Sequence, residues 1–74
     1  MRDASPDARL DAALLAAHEA GDGARLIGLY AQAAERADAP ARPFFLTQAW
    51  VHALEAGDTR AEALAAKLRA MGRL

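Results

Sequence analysis

Apolar residues recur along this chain at intervals of three and four, and this spacing predicts four amphipathic helices. The first three are expected at residues 6–20, 23–37 and 43–56, and the fourth begins at residue 58 or 59 and stops at Gly72. No segment alternates apolar and polar residues with the period of a strand. The predicted fold is therefore all-α: four antiparallel helices in two stacked helix-turn-helix hairpins, as an open stack or a closed four-helix bundle.

The inward face of each helix follows from the same spacing, because residues three and four apart lie on one side of a helix. The expected inward residues are Leu10, Ala13, Leu14 and Ala17 in the first helix, Leu26, Ile27, Tyr30, Ala33 and Ala34 in the second, Leu46, Ala49, Trp50, Ala53 and Leu54 in the third, and Ala61, Leu64, Ala65, Leu68 and Met71 in the fourth.

Two of the predicted helices are preceded by residues that favour the start of a helix. Ser5 before Pro6 predicts a cap for the first helix, because the hydroxyl can accept a hydrogen bond from an unpaired amide. The fourth helix is expected to begin with Asp58 or with a capping box formed by Thr59 and Glu62. The whole chain is expected to form a single helical domain, residues 1–74, with hairpin one at 6–37, a linker with two prolines at 38–43 and hairpin two at 43–72.

The tetrapeptide Glu-Ala-Gly-Asp occurs twice, at residues 19–22 and 55–58, an offset of 36 residues. Its Gly can adopt the left-handed conformation that ends a helix, and its Asp can cap the next one. The repeat therefore predicts two similar helix-turn-helix units that stack on each other.

At these Gly-Asp turns the sequence resembles a tetratricopeptide repeat, most closely over residues 50–58. Tyr30 and Ala33 also fall where that family places an aromatic and a small residue in its second helix. The repeat spacing is 36 residues, against 34 in the family. The resemblance implies a scaffold that binds peptides or partner proteins in a groove lined by the first helix of each unit.

The composition indicates a small core. The chain has 74 residues, of which 54% are hydrophobic, but 22 of these are Ala and each buries little area. A domain of this size buries only about 60% of the surface that its unfolded chain exposes. Self-association is a natural way to bury more, so a homo-oligomer or a protein partner is expected.

Charge is balanced overall but uneven along the chain. The formal net charge is −1, while residues 1–38 carry −3 and residues 59–74 carry +3. This asymmetry would suit head-to-tail association or an ordinary solvated surface. The basic residues of the tail have no aromatic residues between them, so nucleic-acid binding is not expected.

The chain is expected to be cytoplasmic and without a membrane segment. It has no Cys, and its first seven residues are polar, unlike a secretory signal. The longest uncharged run, residues 43–54, has 12 residues and is too short to cross a bilayer.

No set of residues predicts catalysis or cofactor binding. His52 and Glu55 are one helical turn apart, and His18 is the only other histidine, so a third or fourth metal ligand is missing. The Gly-x-Gly at residues 21–23 follows a helix rather than a strand, which excludes a dinucleotide fingerprint. We expect no enzyme activity, no metal, no cofactor and no small-molecule substrate.

The aromatic residues of the third helix are the candidate site. Phe44, Phe45 and Trp50 cannot all point to the same side of one helix. Trp50 and one Phe are expected to fill core space left by alanines, and the rest of this surface is expected to face outward. The candidate partner-binding residues are Phe44, Phe45, Val51 and His52.

The expected function is a small helical-repeat protein that acts as a protein–protein interaction or self-assembly module. The alternative is a regulatory or accessory subunit of an enzyme complex.

Overall fold

A computed structural model describes residues 6–74, which form four helices. They are α1 (Pro6–Ala20), α2 (Gly23–Arg36), α3 (Ala41–Ala56) and α4 (Arg60–Ala70). No strand is found in this range, so the predicted all-α fold of four helices is confirmed. The cap predicted at Ser5 lies outside the described residues.

Both Gly-Asp turns have the predicted conformation. Gly21 has φ 67° and Gly57 has φ 64°, in the left-handed region that ends a helix. The Oδ1 atom of Asp22 accepts a hydrogen bond from the backbone N–H of Arg25 at 3.1 Å and so caps α2. The repeated tetrapeptide is thus explained by helix termination and capping.

The capping box predicted at Thr59 is wrong. The Thr59 side chain makes no capping hydrogen bond, and its backbone is already helical (φ −62°, ψ −21°). A capping side chain normally starts from an extended backbone, which turns it toward the first amides. Asp58, the other predicted start, accepts from the backbone N–H of Arg60 at 2.8 Å.

The third helix begins at Ala41, two residues before the predicted start, and the connection after α2 is therefore residues 37–40. Pro43 lies inside the first turn of α3, where it is tolerated because first-turn amides have no carbonyl partner in the helix. Arg42 closes this connection: its Nε–H is shared by the carbonyl oxygens of Ala34 and Ala37, at 3.1 and 2.8 Å.

Each helix packs against the next one in chain order, and α2 and α3 share the most extensive contact. No Cα of α1 lies within 8 Å of a Cα of α3 or α4. The core has two parts. The α1–α2 cluster contains Leu10, Ala17, Leu26, Leu29 and Ala33, and the α2–α3–α4 cluster contains Ile27, Ala34, Leu46, Ala49, Ala53, Leu64 and Leu68.

Of the 19 predicted inward residues, 12 are buried, five are half-buried and two are exposed. Leu54 is 54% exposed and Met71 is 40% exposed, so their predicted core positions are wrong. Leu54 lies one position beyond the fully buried Ala53, which turns it about 100° away from the core. Met71 follows the last residue of α4. Leu29 is buried although it was not predicted, because α2 packs against helices on two sides.

Candidate functional site

The outer face of α3 carries three exposed apolar side chains. Phe44 is 57% exposed, Leu54 is 54% exposed and Val51 is 37% exposed. At about 100° per residue they lie within an arc of about 80° and extend over about 15 Å of helix. We call Phe44, Val51 and Leu54 the outer strip.

The sequence of α3 explains why this strip is uncharged. Arg42 and Glu55 are the only charged residues among the 16 of α3. Thr47, which lies between Phe44 and Val51, donates its hydroxyl to the Pro43 carbonyl at 2.8 Å within its own helix. The strip therefore has no charge at its centre and no unsatisfied hydroxyl from Thr47.

The structure separates the candidate residues into an outer and an inner set. Phe44 and Val51 point outward, whereas Phe45 is half-buried and packs against both core clusters. Trp50 is half-buried against the α2–α3–α4 cluster. The rings of Phe44 and Phe45 meet edge to face with centroids 5.5 Å apart. Phe45 thus connects the exposed strip to the interior.

His52 belongs to a cluster of rings on the side of α3 next to the outer strip. It is half-buried and stacks on Tyr30, with centroids 5.7 Å apart and planes 7° apart. Tyr30 also stacks on Phe45 at 6.3 Å, and His18 meets the edge of His52 at 6.0 Å. We call His18, Tyr30, Phe45 and His52 the ring cluster.

No pattern in the sequence predicted this cluster. The two histidines were considered together only as metal ligands, and they are not at equivalent positions of the 36-residue repeat. The rings come together only because α1, α2 and α3 pack side by side, and no local pattern encodes that meeting. The predicted inward position of Tyr30 was the only feature of the sequence that pointed to a ring cluster.

One polar contact of the ring cluster joins α1 to α2, and a second lies within α3. His18 Nε2 lies 2.8 Å from the Tyr30 hydroxyl, where either group can donate according to the tautomer of His18. His52 Nδ1 lies 3.6 Å from a carboxylate oxygen of Glu55, one turn along α3. Within residues 6–74, no three His, Cys, Asp or Glu side chains are arranged to hold a metal ion.

The shortest ion pair in the described part of the chain lies at the start of α4. The carboxylate of Asp58 accepts from the Arg60 side chain at 2.9 and 3.0 Å, and these bonds with the Arg60 backbone bond lower the pKa of Asp58 to about 2. The same side-chain bonds raise the pKa of Arg60. Arg60 also reaches the Ala24 carbonyl at 3.4 Å, which links α4 to the first turn of α2.

None of the helices in the described part of the chain has the length and apolar character needed to span a bilayer. No family model, curated protein or solved structure matches this chain. The tetratricopeptide resemblance therefore stays a prediction drawn from the Gly-Asp turns.

Proposed function

We propose that this protein is a protein–protein interaction module that self-associates through the outer strip of α3. The exposure of Phe44, at 57%, is the observation that carries the proposal. A large aromatic side chain contributes a large apolar area at little conformational cost, and such residues dominate binding at interfaces. Val51 and Leu54 extend the same surface along the helix.

A second copy suits this strip better than a charged partner does. In a symmetric antiparallel pair of α3 helices, Phe44 of one copy lies level with Leu54 of the other, and Val51 lies level with Thr47. The hydroxyl of Thr47 is already satisfied within α3, so such a pair buries no unpaired hydroxyl. No charged side chain lies between Phe44 and Leu54 to be desolvated or repelled.

In this proposal the ring cluster holds α3 in place next to the strip. Phe45 and His52 were expected to contact the partner directly, but both are half-buried. They hold α3 against α1 and α2, and so fix the surface that Phe44 presents. A rigid surface loses less entropy on binding than a mobile one. The proposal gives the protein no catalytic role.

Sedimentation analysis over micromolar to millimolar concentrations tests the proposal. The native chain should form a dimer that dissociates on dilution, because one strip of this length makes a small interface. Phe44→Asp and Leu54→Asp should each yield a monomer at every concentration.

Leu15→Asp is the matched control, since Leu15 is also exposed, at 62%, but lies on α1. It should leave the dimer intact. A native chain that stays monomeric at millimolar concentration would contradict the proposal, as would a dimer that survives both α3 substitutions.

A further inference from the structure

A groove of about 450 Å³ opens between α2, the start of α3 and the end of α4. Its volume falls in the range of about 300–1,000 Å³ that small-molecule sites occupy. The outer strip of α3 does not contribute to it. Its apolar lining residues are Ala31, Ala34, Leu46, Ala70 and Met71, of which Ala34 and Leu46 are buried and Met71 is 40% exposed.

Two cations and one carboxylate line the same groove. Arg42 and Lys67 supply the positive charges, and Glu35 supplies the negative one. None of the three forms an ion pair within the described part of the chain. The lining therefore has a net charge of +1 over an apolar floor.

Arg42 is held in place before any ligand arrives. Its Nε–H is shared by the Ala34 and Ala37 carbonyls, which fixes the plane of the guanidinium. Its two terminal nitrogens have no hydrogen-bond partner among residues 6–74. A fixed guanidinium with free N–H groups is suited to a carboxylate, because the planar fork of donors matches two carboxylate oxygens.

We propose that this groove binds a small amphiphile with one anionic head, of the class of medium-chain carboxylates. The head contacts Arg42 and Lys67, and the alkyl chain covers Met71 and the accessible alanines of the lining, Ala31 and Ala70. Glu35 lies on the same lining and opposes an anion, so it lowers the affinity of the site.

Lys67 also has an ordinary structural explanation, since it lies in the last turn of α4, where a cation offsets the helix dipole. That role concerns the free protein and needs no ligand. Ligand binding and thermal stability of the same variants therefore separate the two explanations.

The test is a calorimetric and NMR titration with decanoate, kept below its micelle-forming concentration. The native protein should bind with a Kd of about 1 mM or tighter, which is what 12 non-hydrogen atoms of ordinary efficiency reach. Decyltrimethylammonium has a similar chain with a cationic head, and it should bind at least about fivefold more weakly.

Substitutions at three exposed positions complete the binding experiment, and none of them alters the core. Lys67→Gln should weaken decanoate binding about fivefold, and Glu35→Gln should strengthen it by a similar factor. Arg69→Gln is the matched control, because Arg69 is exposed on α4 but does not line the groove. It should leave the Kd unchanged.

Amide shifts should map to the ends of α2 and α4 and to the start of α3. Absence of decanoate binding at several millimolar would overturn the proposal. Equal or tighter binding of decyltrimethylammonium would overturn it as well, and so would equal effects of Lys67→Gln and Arg69→Gln.

Discussion

His18 Nε2 and the hydroxyl of Tyr30 lie 2.8 Å apart, and this contact joins the last turn of α1 to the middle of α2. The ring of Tyr30 also packs against both core clusters. The Tyr30 side chain therefore has two separable roles. Its hydroxyl makes a solvent-exposed hydrogen bond, and its ring makes apolar contacts with the core.

Substitutions at Tyr30 should separate these roles. Tyr30→Phe removes only the hydroxyl and should lower the free energy of unfolding by about 0.5 kcal/mol, since the bond is exposed. Tyr30→Ala also removes the ring between the two clusters and should cost about 2–4 kcal/mol. Urea denaturation followed by circular dichroism measures both. Equal losses in the two variants would mean that the ring contributes nothing beyond its hydroxyl.

Substitution by Asp should have a small effect on stability at Phe44 and a large one at Phe45. Phe44→Asp alters a side chain that is 57% exposed and should change the unfolding free energy of the monomer by about 0.5 kcal/mol or less. Phe45→Asp places a charge between the two clusters and should unfold much of the domain. The comparison belongs at low protein concentration, where self-association does not contribute. A folded Phe45→Asp variant would show that Phe45 is not a bridge.

Gly57 should be sensitive to substitution although a Cβ there meets no atom within 4 Å. Its φ of 64° is unfavourable for L-residues with a side chain, so Gly57→Ala should cost about 1–2 kcal/mol. Gly23→Ala is the control, because a Cβ at Gly23 also meets nothing within 4 Å and its φ is not in the left-handed region. Thermal unfolding of both variants gives the difference. A loss as large at Gly23 would rule out backbone conformation as the cause.

Asp58 should make the stability of the fold depend on pH in the acid range. Its pKa is about 2 in the folded protein against 3.8 for an unperturbed side chain, so the unfolded state binds more protons between these values. The stabilisation is fully present above pH 3.8 and is lost as the pH falls toward 2.

The native protein and Asp58→Asn should therefore differ most above pH 4 and converge near pH 2, as measured by urea midpoints across that range. Asp11→Asn is a suitable control, since Asp11 is exposed on α1 and forms none of the ion pairs described above. A constant difference between Asp58→Asn and the native chain at every pH would contradict the proposed pairing with Arg60.

The ends of most helices could be predicted because their causes are local. Gly21 and Gly57 end helices through their own backbone angles, and Asp22 and Asp58 act on amides two or three residues away. The start of α3 was predicted two residues late because the prolines were read as excluding a helix, although a first turn tolerates one.

What could not be predicted depends on how whole helices meet. Leu29 is buried because α2 packs against both α1 and α3, and Leu54 is exposed because it lies about 100° round α3 from the buried Ala53. The approach of His18 to His52 requires three helices to be in place. The exposure of Phe44 beside the half-buried Phe45 follows from the same packing, since the sequence alone allowed either ring to point inward.

The division of the core into two clusters sets the order in which the fold opens. Among the other helices, the backbone of α1 approaches only that of α2, and its buried apolar side chains are Leu10 and Ala17. Detaching α1 breaks the smaller cluster and leaves the α2–α3–α4 cluster intact. Native-state hydrogen exchange should accordingly show α1 amides exchanging through a partial opening, while those of α2 and α3 exchange only through global unfolding. The first helix is thus the unit of the fold that solvent reaches first.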